Sequence, residues 1–242
     1  MPPSYREIPP ESRRALRQGL AVALATSAYG ISFGALGVAS GLDIWQTCVL
    51  SLLMFTGGSQ FAFVGVIAAG GLAAAPAAIA SSALLGVRNV AYGMRMSAII
   101  GGGFWRKALA APFTIDESAA VALAQTQPHA RRWGFWVTGV GIYAGWNLST
   151  LLGALLGDVL GDPRAYGLDA AAAAAFLALL WPRLRGRQAV AVGIAAAIVA
   201  TALTPALMPG IPVLLAAVVA IVVGWFNWLV PPVRHAGAEG ER

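Results

Sequence analysis

Arg88 ends an uncharged run that extends from Ile44 to Val87, so its guanidinium stands where a bilayer tolerates no bare charge. Two roles suit a cation there. It can snorkel along its stem to the membrane interface, or it can stay inside and hold a carboxylate from a ligand or from the chain. The internal candidates are Asp116 and Glu117, flanked by apolar residues in FTIDESAAVALA. Adjacent carboxylates in such a segment need a cation or a proton to compensate them, which makes them candidate proton-coupling residues. Neighbouring helical positions diverge by about 100°, so one acid can face Arg88 while the other faces another helix. An interfacial helix with both acids in water is the alternative. Asn89 adds an amide beside Arg88, and Tyr92 and Arg95 follow within two helical turns.

Thr56-Gly57-Gly58-Ser59-Gln60 is a second interruption, placing a glycine pair, two hydroxyls and an amide inside an apolar run. A helix that breaks there frees backbone groups and points a positive dipole end at its surroundings, a device transporters use to hold an anionic substrate. Gly57, Gly58, Ser59 and Gln60 are therefore candidate substrate-binding residues. The plainer reading is a kink whose polar groups bond to a neighbouring helix. Trp146 and Asn147, mid-way along the uncharged stretch from Trp133 to Gly157, complete the candidate set. The order aromatic, small, glycine, polar in residues 55–59 echoes residues 143–147, as an inverted repeat with two unwound segments would.

Other chemistry is not signalled. Cys48 is the single cysteine, and His129 and His235 lie far apart in polar stretches, so neither a disulfide nor a metal centre is expected. Hydrolase, zinc-protease and phosphate-cradling motifs are missing, which argues against an enzyme, a cofactor and ATP-driven transport. The net charge of +6 comes from arginines and lysines at the ends of apolar runs. That placement fits membrane orientation and not nucleic-acid binding.

The elements that must position these groups are membrane helices. Of 242 residues, 58% are hydrophobic and 11% charged, and the mean hydropathy is +0.73. Charge is missing from Gly19 to Leu42, Ile44 to Val87, Trp133 to Gly157 and Ala189 to Val233. At about 20 residues per crossing this predicts an all-α, multi-pass bundle of roughly seven or eight helices, some short or discontinuous. Residues 1–12 read as a polar tail, 13–230 as one transmembrane domain and 231–242 as a polar C-terminal tail. The first apolar run is too long for a signal-peptide core and reads as a retained helix. Arg6, Arg13, Arg14 and Arg17 before it, and the basic loop from Arg183 to Arg187, belong on the cytoplasmic side. The acidic loop around Asp158, Asp162 and Asp169, with Arg164, belongs outside. An even number of crossings then follows, with Leu109 to Pro128 crossing as a broken segment.

The order FTGGSQFAFVGV, GVRNVAYGMRMS, FTIDESAAVALA, GWN and GLDAAAAAAFLALLWP resembles the AzlC family, the large permease subunits of bacterial branched-chain amino-acid exporters. The resemblance runs from Gly19 to about Pro182. Where that family usually reads Asn-Leu-Arg-His, this chain has Gly86-Val87-Arg88-Asn89, keeping the arginine. Gln60, Arg88, Asp116 and Glu117 carry over from the family pattern. The resemblance implies export of valine, leucine or isoleucine across the bacterial inner membrane, driven by the proton gradient, with a small hydrophobic AzlD-like partner. A structural subunit whose partner forms the path, or a transporter of another small amino or organic acid, are the alternatives.

Overall fold

Two helices much longer than the rest set the frame of the computed structural model, which describes residues 9–160, 177, 180–181 and 184–226. Helix α1 (Pro10–Ala39) has 30 residues and α8 (Pro128–Leu160) has 33. At 1.5 Å per residue they are about 45 and 50 Å long, enough to cross a bilayer. Between them lie α2 (Ile44–Leu53), α3 (Gly58–Gly70), α4 (Ala75–Gly86), α5 (Arg88–Ile100), α6 (Phe104–Ala110) and α7 (Asp116–Leu123). Every regular element among the described residues is helical, and three stretches, Pro10–Ala39, Gly58–Ile100 and Pro128–Val159, are long and apolar enough to span.

Small residues bring α1 and α8 together. Along α1, Ala15, Gly19, Ala23, Ser27, Gly30, Gly34 and Gly37 recur at helical spacing and are all buried. Gly19 faces Thr138, Ala23 faces Gly141, Ser27 faces Gly145, Gly34 faces Thr150 and Ala35 faces Gly157. The numbers climb together, so the two helices run parallel. Glycine lets the backbones touch, which is how apolar helices gain contact where lipid supplies no hydrophobic drive. Ser12 Oγ lies 3.0 Å from His129 Nδ1, and Gln125 donates to Gln18 at 3.0 Å. One end of the frame therefore gathers Arg13, Arg14, Arg17, Arg131 and Arg132; we call it the basic end.

The short helices do not cross one by one. Asp43 caps α2, accepting from the Gln46 N–H at 2.7 Å while Gln46 returns a 3.0 Å bond. Thr47 lies against Gly37 near the far end of α1, and Tyr143 donates to the Leu52 carbonyl at 3.3 Å. So α2 descends from the far end to mid-height, where Tyr143 marks the centre of α8. After the break at residues 54–57, α3 turns back. Its start lies beside the end of α4, with Ser59 Oγ 3.7 Å from a Cβ placed on Gly86. The two helices thus form a hairpin whose turn, Gly70-Gly71, uses a positive φ of 61° at Gly71. Val87 keeps helical angles (φ −53°, ψ −32°) and bonds back to the Ala83 carbonyl, so α4 continues into α5 without reversing. That run ends at the basic end, where Arg132 donates to the Ile99 carbonyl at 2.9 Å.

From there α6 climbs back to mid-height, where a Cβ on Gly139 would touch Phe113 Cβ at 2.9 Å. Helix α7 then returns, passing Gly134 at Val121 and reaching Gln125, whose carbonyl accepts from Arg131 at 2.8 Å. The segment from Leu109 to Pro128, expected to cross, and the stretch from α2 through α3 are thus hairpins that reach mid-height from opposite ends and turn back. The reason is local. Gly57 at φ 61° and Ile115 in extended conformation let the chain reverse within a few residues. Residues 143–147 lie inside unbroken α8, so the echo read there marks no second unwound segment.

Residues 1–176 form one compact unit and 177–242 another. In the second, α9 (Arg187–Leu203) and α10 (Ile211–Trp225) pack as a hairpin, with Gly210 at φ 90° in the turn and Pro212 in the first turn of α10. Asp162, Arg164, Asp169 and most of the stretch from Leu168 to Trp181 lie outside the described residues, as do residues 1–8 and 227–242.

Candidate functional site

Three helix ends meet half-way up the frame, and Arg88 stands among them. Its Nε donates to Asp116 Oδ1 at 3.0 Å, and each side chain keeps 23% of its surface free. One terminal nitrogen donates to the Thr56 carbonyl at 3.2 Å. The same guanidinium lies over the start of α3, where a Cβ on Gly58 would come within 3.2 and 3.4 Å of its two terminal nitrogens. A planar fork can serve all three directions; a lysine ammonium would have to choose. The snorkelling reading of Arg88 therefore gives way to an internal ion pair.

The first tip, residues 54–57, owes its shape to Gly57. Its φ of 61° and ψ of −89° are out of reach for an L side chain without strain. Gln60, fully buried, accepts the Gly57 N–H at 3.1 Å and so anchors the restart of α3. No acid sits in the first turn of α3, whereas Asp116 and Glu117 occupy the first turn of α7 and complement its dipole. At the second tip Ser118 accepts the Ile115 N–H at 3.1 Å and donates to the Phe113 carbonyl at 2.6 Å.

Aromatic rings wall the site. Phe33 and Trp146 stack at 6.1 Å, and Phe61 meets both edge-on at 5.7 and 6.2 Å. Tyr143 lies edge-to-face with Phe55 at 5.0 Å and with Phe113 at 5.5 Å. Around this wall Thr56 Oγ1, Ser59 Oγ, Gln60 Nε2, Asn89 Oδ1, Trp146 Nε1 and Asn147 Oδ1 are buried and have no hydrogen-bond partner among the described residues. Orphaned buried polar atoms are costly, so several near one break call for a partner from outside these side chains, water or ligand.

Residues 21–160 match the family model described as AzlC protein. The chain belongs to the AzlC family. It is thus a membrane protein of a transport-associated family, which is not an enzyme family. No curated protein and no solved structure matches the chain.

Of the residues singled out in the sequence, the structure brings Gly57, Gly58, Ser59, Gln60, Arg88 and Asp116 to one place. Glu117, half-buried, follows Asp116 in the same turn. Trp146 reaches the start of α3 through Phe61. Asn147 instead turns its amide onto its own helix, donating to the Tyr143 carbonyl at 2.7 Å. The sequence reading missed Phe33, Phe61, Phe113 and Ser118. Phe113 and Ser118 carried a usable signal, because Phe-Thr opens both FTGGSQ and FTIDES. Phe33 and Phe61 carried none, being apolar residues in apolar runs.

Proposed function

We propose that this chain forms the substrate path of an exporter of branched-chain amino acids (valine, leucine or isoleucine) in the bacterial cytoplasmic membrane. One observation carries the reading. Arg88 is held at mid-height between two helix breaks by Asp116, beside buried polar atoms that lack partners. The first break, Gly57 to Gln60, with Arg88 and Asn89, receives the amino-acid head. Trp146, with the rings beside it, faces the aliphatic part, and Asn147 borders the path. Asp116 and Glu117 carry the proton that couples export to the gradient. A small AzlD-like subunit completes the complex; its helices have lipid-facing apolar side chains to meet, such as Leu24, Leu53 and Val90.

The deciding experiment is counterflow of labelled leucine in proteoliposomes, with and without the small partner. Uptake that needs this chain and vanishes in R88A supports the reading. Equal counterflow by R88A and wild type returns the chain to a structural subunit. For coupling, D116N and E117Q are assayed under an imposed pH gradient. If both retain wild-type gradient dependence, the coupling group lies elsewhere.

A further inference from the structure

The two tips share an order of contacts, although their N-caps differ in backbone, with Gly57 at φ 61° and Ile115 extended. Phe55 and Phe113 both place their rings edge-on to Tyr143. Thr56 and Thr114 follow. Gly57 and Ile115 are the N-caps, and each offers its N–H to a side chain three residues on, Gln60 or Ser118, at 3.1 Å. Gly58 and Asp116 are the first helical residues, and each lies against the Arg88 guanidinium. The match extends backwards. Gly41 and Gly101, with φ of 94° and 62°, end the preceding helices. Trp45 and Trp105 are each the second residue of the next helix, and both are largely exposed, at 78% and 79%. Ala28-Tyr29-Gly30 and Ala91-Tyr92-Gly93 lie further upstream. Directions reverse throughout. Helix α1 leaves the basic end while α4–α5 approaches it; α2 and α3 visit mid-height from the far end, α6 and α7 from the basic end. Residues 75–123 therefore run through the same order of elements as residues 10–70 in the opposite direction, and Arg88 is met from both tips.

One difference stands out. At the second tip a carboxylate, Asp116, occupies the first helical position and pairs with Arg88. At the first tip that position is Gly58, which contributes no side chain and leaves the α3 dipole without an acid. Ser59 Oγ and Gln60 Nε2, 1% and 0% exposed, have no partner in that same turn. We infer that the seat at Gly58 takes a free carboxylate, and that Asp116 is its built-in counterpart across the repeat. The inference rests on the transport reading, in that the carboxylate is the substrate's. It gives Gly58 a role: a position without a side chain leaves the Arg88 guanidinium open to a ligand from this side, as Asp116 meets it from the other.

The test transplants the carboxylate. Thermal unfolding of the purified full chain is followed for wild type, G58A, G58D, D116N and G58D/D116N, with and without leucine. Leucinamide, which lacks the carboxylate, is the control. G58D is expected to lose leucine-dependent stabilisation, its affinity falling at least about tenfold, the scale of one hydrogen bond to a charged group. G58A is the steric control, adding a Cβ beside the Arg88 terminal nitrogens and no charge. G58D/D116N recovers the stability that D116N loses, because the transplanted carboxylate holds Arg88. The inference is overturned if G58D binds leucine as wild type does, if leucinamide binds as leucine does, or if the double variant is no more stable than D116N. Recovery in the double variant without any response of wild type to leucine keeps the seat and discards the branched-chain substrate.

Discussion

Separating what Arg88 does for the fold from what it does for transport requires breaking its ion pair in two ways. R88M removes the guanidinium and leaves the Asp116 carboxylate facing an apolar side chain. The loss includes the 3.0 Å bond to Asp116 and the 3.2 Å bond to the Thr56 carbonyl. A hydrogen bond to a charged group contributes about 1.5–3 kcal/mol, and stranding one member of a fully buried pair costs about 3–5 kcal/mol. With 23% of each side chain free, the lower part of that range applies. R88M should then cost about 2–3 kcal/mol, and D116N about 1–2 kcal/mol because a neutral amide still accepts a bond. Replacing both partners removes the stranded charge, so R88M/D116N should cost less than the sum by about 1.5 kcal/mol or more. At about 2–4 °C per kcal/mol for a chain of this size, R88M lowers Tm by roughly 5–10 °C and the double variant regains part of that. Transport is measured on the same preparations. The double variant should regain stability and no transport, because the group proposed to hold the substrate is gone. Additive stability effects within about 0.3 kcal/mol would refute the pairing, and restored transport would refute the role of Arg88 in binding.

Three further outcomes follow from single positions. G34A should lower Tm by several degrees, since its Cβ meets the Thr150 backbone, whereas G93A, with open space around it, should be neutral or stabilising by up to about 1 kcal/mol. G57A should cost about 1–3 kcal/mol and depress counterflow, because φ 61° with ψ −89° strains any side chain although nothing lies within 4 Å. Q60M, which keeps volume but leaves the Gly57 N–H unpaired, should cost about 1–2 kcal/mol and reduce leucine affinity. Each is checked by thermal unfolding in detergent beside proteoliposome counterflow, and a neutral G57A or Q60M would detach the first tip from function.

The interruptions in the sequence pointed to groups that the fold brings together, because groups that a bilayer penalises must be compensated wherever they fall. Arg88, Asp116 and the Gly57-Gly58 pair were legible for that reason, whereas the parallel pairing of α1 with α8 through small residues was not. Helix direction was not legible. A half-length apolar helix that turns back has the same composition as half of one that crosses, so α2–α3 and α6–α7 read as crossings. The reversal depends on backbone angles at Gly57 and on bonds from Gln60 and Ser118 that only the folded chain displays. The repeat was misplaced for a related reason. An amide at Gln60 and a hydroxyl at Ser118 do the same work on an N-cap N–H, yet look unlike in a string of letters. The likeness of residues 143–147 was one of letters alone.

The arrangement also says which parts can move. Helices α1 and α8 touch through backbone at Gly34 and Thr150 and at Gly153 and Ile31, contacts that cannot slide without collision. Ser51 and Thr150 add a buried hydroxyl pair at 3.2 Å where α2 meets this frame. The tips are different. They rest on Tyr143 through ring edges and on Arg88 through bonds that a carboxylate can compete for. Motion that opens a path to one end must therefore be a shift of one tip against the frame, with Arg88 changing partner. An inverted repeat makes the two shifts equivalent in geometry, and the Gly58–Asp116 difference makes them unequal in chemistry. On the proposed reading that inequality sets the direction of response: a carboxylate arriving at the α3 tip would compete with Asp116 for one guanidinium, so filling one tip would loosen the other.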